Sequence, residues 1–300
     1  MNRRAFILSS VVSALGCRGK SRTFSAPPLE GVAAASFLRT RTREWSFSFG
    51  PVDHVVVVEP VPLARATRVV IALHGRGEAL KDGAHGAWGW PSDYALLEAV
   101  ERLHAPPLTK GDYGGFVTDE HLSIRNRGLS TRSYEGLCVV CPHVGDVDPH
   151  GPFVTTLASF ILGELIPRVE RELGIRLSKK GLGIDGVSMG GSLALRVGLL
   201  HPDRFSSVGA IQPAISASQR TDLTELAVRA RARQPSLSLR LLTSDADYFR
   251  SAIEAQSLAW TEARISHDML VLPGPHDYAF NRGPGSLELL AWHDAVLREN

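Results

Sequence analysis

Apolar residues recur along this chain in short continuous blocks. "VDHVVVVEP" (52–60), "RVVIALHG" (68–75), "GLCVVCP" (136–142) and "GLGIDGVS" (181–188) come first. "SSVGAIQP" (206–213), "LSLRLLTS" (237–244) and "HDMLVLPG" (267–274) follow. Each block is bounded by turn-forming residues. Blocks apolar at successive positions suit strands buried on both faces, as in parallel sheets. Between them, apolar residues return with helical spacing over 92–103, 153–173, 189–200, 222–233, 248–264 and 285–298. Strands alternating with helices predict an α/β fold with a mostly parallel central sheet flanked by helices.

Residues 76–135 break the rhythm. They are rich in Gly, Pro and aromatic residues and show little strand pattern. Long irregular segments inside compact domains are usually functional or disordered. The expectation is an irregular, lid-like insertion over a site. Its rings Trp88, Trp90, Tyr94, Tyr113 and Phe116 are candidates for an apolar or aromatic wall; packing the insertion onto the body is the competing role.

The N-terminus follows a different pattern. "MNRRAFILSSVVSALGC" has Arg3-Arg4 and then an apolar run to Gly16. That run is too short to span a bilayer. A basic start with a short apolar region reads as an export signal, here with a twin-arginine pattern. Cys17 stands where a lipoprotein signal carries its lipidated cysteine, although Leu15 falls one place late. The expected organisation is an export signal over 1–17, a linker over 18–40 and a catalytic domain over 41–300. The expected location is the periplasm or cell envelope, lipid-anchored through Cys17 or secreted.

Composition adds little. Of 300 residues, 33 are basic and 31 acidic, a formal net charge of +2. Nothing in that balance favours a nucleic-acid partner. Cys138 and Cys141 form C-x-x-C on a predicted strand, where residues three apart face opposite ways. Buried, unpaired thiols are expected there rather than a disulfide. Histidines 104, 121, 143 and 150 lack metal-ligand spacing, so no metal and no organic cofactor is assigned.

The chemistry concentrates at Gly186-Val187-Ser188-Met189-Gly190-Gly191. Here G-x-S-x-G lies between a predicted strand and a predicted helix, the context that makes its serine a nucleophile. Such a turn needs small neighbours, and Gly186 and Gly190 supply them. The helix start aims free N–H groups at an anion above Ser188, with Met189 N–H as one oxyanion donor. A serine needs a base. His276 follows the strand at 267–274. An acid should follow the strand at 237–244, where Asp245 and Asp247 both stand. The order Ser, acid, His is the one expected on this fold. A second oxyanion donor should come from Gly75 or Arg76 after the strand at 68–75. His74 reads as a supporting hydrogen bonder and Asp277 as structural. Arg76 could also meet an anionic group of a substrate, or be a solvated loop charge.

These residues together resemble the α/β-hydrolase superfamily. Within it they resemble the Putative esterase family, which includes feruloyl esterases, S-formylglutathione hydrolases, enterochelin esterases and mycolyltransferases. The matching stretches are "ALHGRG", "GVSMGGSLALRVGLLHPDRFSSVGAIQP", "LLTSDADYF" and "LPGPHDYAF". The resemblance implies Ser188 as nucleophile, His276 as base and, of the two candidates, Asp247 as the acid. It implies cleavage of an ester through an acyl-enzyme; sugars also stack on rings such as those of residues 76–135, so a small-molecule and a carbohydrate ester both stay open. An acyltransferase with the same triad is the main alternative; a serine peptidase and a non-catalytic binding protein of this fold are lesser ones. One departure stands out. Gln212-Pro213-Ala214 replaces a "SG" turn common in the family, which leaves the pocket shape there open.

Overall fold

A computed structural model describes residues 39–50, 52–64, 67–177 and 180–299. The predicted export signal, Cys17 and nearly all of the predicted linker lie outside the described residues.

Eight strands form one sheet. They are β1 (Thr40–Phe49), β2 (Val52–Pro60), β3 (Val69–Leu73), β4 (Cys138–Pro142), β5 (Leu182–Gly186), β6 (Ser207–Ile211), β7 (Ser238–Ala246) and β8 (Asp268–Pro275). Their spatial order is β1-β2-β4-β3-β5-β6-β7-β8. The pairs from β4 through β8 are parallel; β1 with β2 and β2 with β4 are antiparallel. The sheet is therefore mostly parallel, as expected, with an antiparallel margin. β1 has no counterpart among the expected strands. Its "TREWSFSF" alternates polar and apolar residues, the mark of an edge strand with one covered face, rather than a continuous apolar block.

The strands divide their side chains between two cores because alternate residues point to opposite faces. Val69, Ile71, Cys138 and Val140 join one core, and Val70, Ala72, Val139 and Cys141 the other. Cys138 and Cys141 thus face opposite ways as free, buried thiols, and burial pushes both thiol pKa values up. The first core is covered by α5 (Phe153–Phe160), which runs through a π-helical turn (Ile161–Leu165) into α6 (Ile166–Leu173), and by α7 (Met189–Leu200), α8 (Arg220–Arg233) and α9 (Arg250–Glu262).

The second core corrects the expectation for residues 76–135. This stretch is not irregular. It contains α1 (Arg76–Ala79), α2 (Gly83–Gly86), a π-helical turn (Gly89–Asp93), α3 (Leu96–Leu103) and α4 (Asp119–Thr131). Trp90, Tyr94 and Tyr113 are fully buried in this core with Leu96, Leu103 and residues of α11 (Ser286–Glu299). The segment is mainly a helical layer on the sheet. Its Gly and Pro content masks the helices because they are short and separated by tight turns.

A buried charge network fastens α11 to that layer. Glu288 accepts from the Tyr113 hydroxyl at 2.9 Å, pairs with His121 at 2.8 Å and meets Arg125. The cations around Glu288 hold its carboxyl well below the usual range although burial opposes this.

Candidate active site

The end of β5 and the start of α7 set the centre of the site. Ser188 between them has φ 55° and ψ −116°, a conformation costly for any residue with a Cβ. The turn survives because its neighbours have no side chains. A Cβ on Gly186 would lie 2.4 Å from the Gly190 carbonyl oxygen; one on Gly190 would lie 2.3 Å from that of Leu73. Backbone bonds brace the strained residue. Ser188 N–H donates to Ile211 C=O at 3.0 Å, and Ala214 N–H donates to Ser188 C=O at 2.9 Å.

The parallel strands bring three predicted residues together at their carboxyl ends. Ser188 Oγ lies 3.0 Å from His276 Nε2. His276 Nδ1 lies 2.8 Å from Asp247 Oδ1. Asp247 is itself held in place: Phe249 N–H donates to Oδ1 at 2.9 Å and the Thr243 hydroxyl to Oδ2 at 2.7 Å. Asp245 points elsewhere, accepting from Gly274 N–H at 2.9 Å. The neighbouring Asp277 caps α10 (Tyr278–Phe280), accepting from the Ala279 and Phe280 N–H groups. Gln212, left-handed at φ 45°, steadies the loop that carries His276. Its side-chain amide donates to the Pro275 carbonyl at 2.9 Å and to the Ser244 hydroxyl at 2.7 Å. The departure at 212–214 therefore has a structural use beside His276.

Next to Ser188, Met189 N–H is first in α7 and has no partner within its own helix. Gly75 N–H, one of the two expected second donors, is already engaged with the Tyr94 hydroxyl at 3.1 Å. That leaves Arg76 N–H, first in α1. His74 is a support, as expected. Its Nε2 accepts from Val144 N–H at 2.9 Å, so Nδ1 carries the proton and donates to Gly75 C=O at 2.9 Å. Burial lowers its pKa to about 4, so the ring is neutral near pH 7. The Arg76 guanidinium reaches outward, 69% exposed, and holds Asp146 with contacts of 2.8 and 2.9 Å.

A cavity of about 540 Å³ opens at Ser188 and Met189. Arg76, Asp146–Pro149, Ala214, Tyr248 and Phe249 complete its lining. None of the five candidate rings of residues 76–135 lines it, so Trp90, Tyr94 and Tyr113 act as packing rather than as pocket wall. Two concavities of about 400 Å³ lie elsewhere, one around Arg68 and Glu135 and one around Arg132 and Ala295. Neither contains a residue of the Ser188 cluster. Tyr248 went unnoticed in the sequence because it is an ordinary residue between Asp247 and a helix. In the fold its ring, 69% exposed, lies 4.3 Å from the His276 ring, and its hydroxyl interacts with the Ser188 side chain. Among the described residues, no group of His, Cys, Asp and Glu could hold a metal ion.

The family model described as "Putative esterase" matches residues 137–278. No curated protein matches the chain by sequence. Solved structures match it by fold. A ferulic acid esterase superposes with a TM-score of 0.65 at 14% identity, covering 86% of this chain and 99% of that chain. An S-formylglutathione hydrolase from Staphylococcus aureus gives 0.58 at 14%, with 85% and 98% covered. A feruloyl esterase module from Clostridium thermocellum, complexed with sinapinate, gives 0.59 at 15%, with 88% and 91% covered. At such identities the structural likeness speaks for the α/β-hydrolase fold.

Proposed function

We propose a serine acyl-enzyme mechanism for this chain, a carboxylic ester hydrolase of the α/β-hydrolase fold that the Putative esterase family matches over residues 137–278. The observation that carries the reading is the hydrogen-bonded row Ser188–His276–Asp247, open to a cavity at the N-terminus of α7. His276 Nε2 takes the Ser188 proton as Oγ bonds to the ester carbonyl carbon. The carbonyl oxygen becomes an oxyanion that accepts from Met189 N–H and Arg76 N–H. Losing one such donor costs roughly 3–4 kcal/mol of transition-state stabilisation. The C–O bond to the alcohol then breaks, and His276 gives its proton to the departing oxygen. Water, deprotonated by the same imidazole, releases the acid and restores Ser188. Asp247 fixes the His276 tautomer and stabilises the imidazolium.

The substrate is a small carboxylic ester whose acyl group lies along Tyr248, Phe249, Val147 and Pro149. Ferulate and sinapinate esters are the first to try, because solved structures of this fold are in complex with ferulic acid and with sinapinate. Hydrolysis of p-nitrophenyl esters of increasing chain length, and of a feruloyl ester, tests the reading against the Ser188→Ala variant. Ser188-dependent turnover supports it, and turnover surviving in the variant refutes it. Adding an alcohol acceptor and analysing products separates hydrolysis from acyl transfer. Export through the Arg3-Arg4 leader is part of the same proposal. Mass spectrometry of the mature N-terminus tests it, and lipid on Cys17 would appear in the same spectrum.

A further inference from the structure

Two tyrosines and a carboxylate outside the Ser188–His276–Asp247 row converge beside it. Glu78 in α1 is 1% exposed, and both of its oxygens are used. Oε2 accepts from the Tyr94 hydroxyl, and Oε1 accepts from the Tyr278 hydroxyl at 2.5 Å. Lys81 Nζ stands 3.9 Å from Oε1. The Tyr94 oxygen in turn accepts Gly75 N–H at 3.1 Å. The cluster and the nucleophile share one small region. A Cβ built on Gly75 would lie 3.2 Å from the Tyr94 hydroxyl, 3.7 Å from Glu78 Oε2 and 3.7 Å from Ser188 Cβ. Burial and the Glu78 charge raise the pKa of both tyrosines, which keeps both hydroxyls protonated as donors.

The arrangement bears on Arg76 N–H. That group belongs to the peptide between Gly75 and Arg76. On one side, His74 Nδ1–H holds the Gly75 carbonyl of this same peptide. On the other, Tyr94 holds Gly75 N–H, which belongs to the preceding peptide. Glycine allows wide rotation between two such planes, and these two bonds remove that freedom. Hydrogen bonds weaken steeply with misalignment, so a donor free to turn away would lose much of its value to an oxyanion. Tyr278 lies two residues beyond His276, so the Glu78 carboxylate also reaches the loop that carries the base.

We infer that Glu78, Tyr94 and Tyr278 form a clamp that aims Arg76 N–H at the oxyanion and ties that donor to the His276 loop. The inference rests on the serine mechanism proposed above. All three are positioning residues: the oxyanion meets the backbone they hold, and they do not touch it. A buried carboxylate is costly to keep, and two donated hydroxyl hydrogen bonds offset that cost.

The test uses the full-length chain. In Tyr94→Phe, kcat falls by about tenfold to a hundredfold while KM stays within about twofold, because the lost interaction belongs to the transition state. A boronic acid that bonds to Ser188 and places an anionic oxygen among the donors loses affinity by a similar factor. Tyr278→Phe removes only the hydroxyl of a part-exposed ring and shows the same kcat-selective pattern more weakly; it carries the test if Tyr94→Phe does not fold. Glu78→Gln keeps one acceptor oxygen and retains more kcat than Glu78→Ala. Hydrogen exchange at the Gly75 and Arg76 amides, read without any substrate, speeds up in Tyr94→Phe. Unchanged exchange at these amides, or kcat and boronate affinity within about twofold of the parent in both tyrosine variants, overturns the clamp. Should the parent show no Ser188-dependent turnover, the serine mechanism fails, and the exchange measurement still decides whether the clamp exists.

Discussion

Among the described residues there are two Ser-His-Asp constellations, and their hydrogen bonds are of similar length. Ser188, His276 and Asp247 are joined by contacts of 3.0 and 2.8 Å. Ser207 on β6, His293 on α11 and Asp185 on β5 are joined by contacts of 2.8 and 3.1 Å. The second set is 0% exposed at every member. It lies between the sheet and α11, where Arg240 donates at 3.2 Å to the same Asp185 oxygen, Oδ2, that His293 meets, and Gly186 N–H donates to Oδ1 at 2.7 Å. Its imidazole is also reversed: Nδ1 meets the serine and Nε2 the aspartate. Ser207 belongs to an ordinary strand, whereas Ser188 has a left-handed φ, a helix N-terminus beneath it and a cavity above it. The comparison teaches that residue types and distances do not by themselves make a nucleophile, since access for a substrate and donors for a developing anion are also needed. Of the two sets, the Ser188 one stands at a helix N-terminus and opens to a cavity, which is what supports the role proposed for it.

The sharpest way to break this comparison is to remove each serine in turn. Ser188→Ala is expected to lower kcat by on the order of 10⁴–10⁶. Ser207→Ala is expected to leave kcat within about twofold and to cost about 1–3 kcal/mol of stability, from a buried imidazole nitrogen left unpaired. Steady-state kinetics with urea unfolding checks both; equal loss of activity in the two variants would erase the distinction. Next in size are the acids. Asp247→Asn should reduce kcat by roughly 10³–10⁴ through the wrong His276 tautomer. Asp245→Asn should stay within about tenfold, because it disturbs only a bond to the Gly274 N–H. Ester kinetics at one pH decides.

A smaller effect concerns the buried imidazoles. Burial lowers the pKa of His74 to about 4, and it also lowers that of His293. Below pH 6.5 the unfolded chain binds protons that these rings refuse, so stability falls as pH drops and rises as pH returns. For His74 alone the loss between pH 7 and 5 is about 2 kcal/mol. Urea unfolding at the two pH values should therefore show a smaller difference in His74→Gln than in the parent. The smallest effect expected is at the mouth of the site. Tyr248→Ala removes an aromatic wall that the Ser207 set has no equivalent of, and should raise KM about threefold to tenfold, more for aromatic than for short acyl groups. Equal KM across an acyl series would remove Tyr248 from the substrate surface.

Much of this was legible along the chain. Each of the seven apolar blocks is a strand, and all six helical stretches are helices within a few residues. Ser188, His276 and Asp247 stand in the expected order and meet in the fold. Choosing Asp247 over Asp245 needed a resemblance rather than spacing, because both stand within three residues of the end of the apolar block at 244. In the fold Asp247 is buried against Thr243 and His276, while Asp245 is exposed. The helical layer formed by 76–135 was hidden by its Gly and Pro content, and β1 by its half-polar face.

What the sequence determined by itself was local in origin: the period of each element, the glycines of the Ser188 turn and the chemical order along the strands. These follow from backbone sterics and side-chain period, which act over a few neighbouring residues. Only the tertiary structure decided which of the two expected loop donors is free, by placing Tyr94 against Gly75 across 19 residues. It alone joined Glu78 to Tyr278 across 200 residues, and it alone buried Ser207 while opening Ser188 to a cavity. Contacts and access of this kind depend on how distant elements pack, and no local pattern encodes that packing.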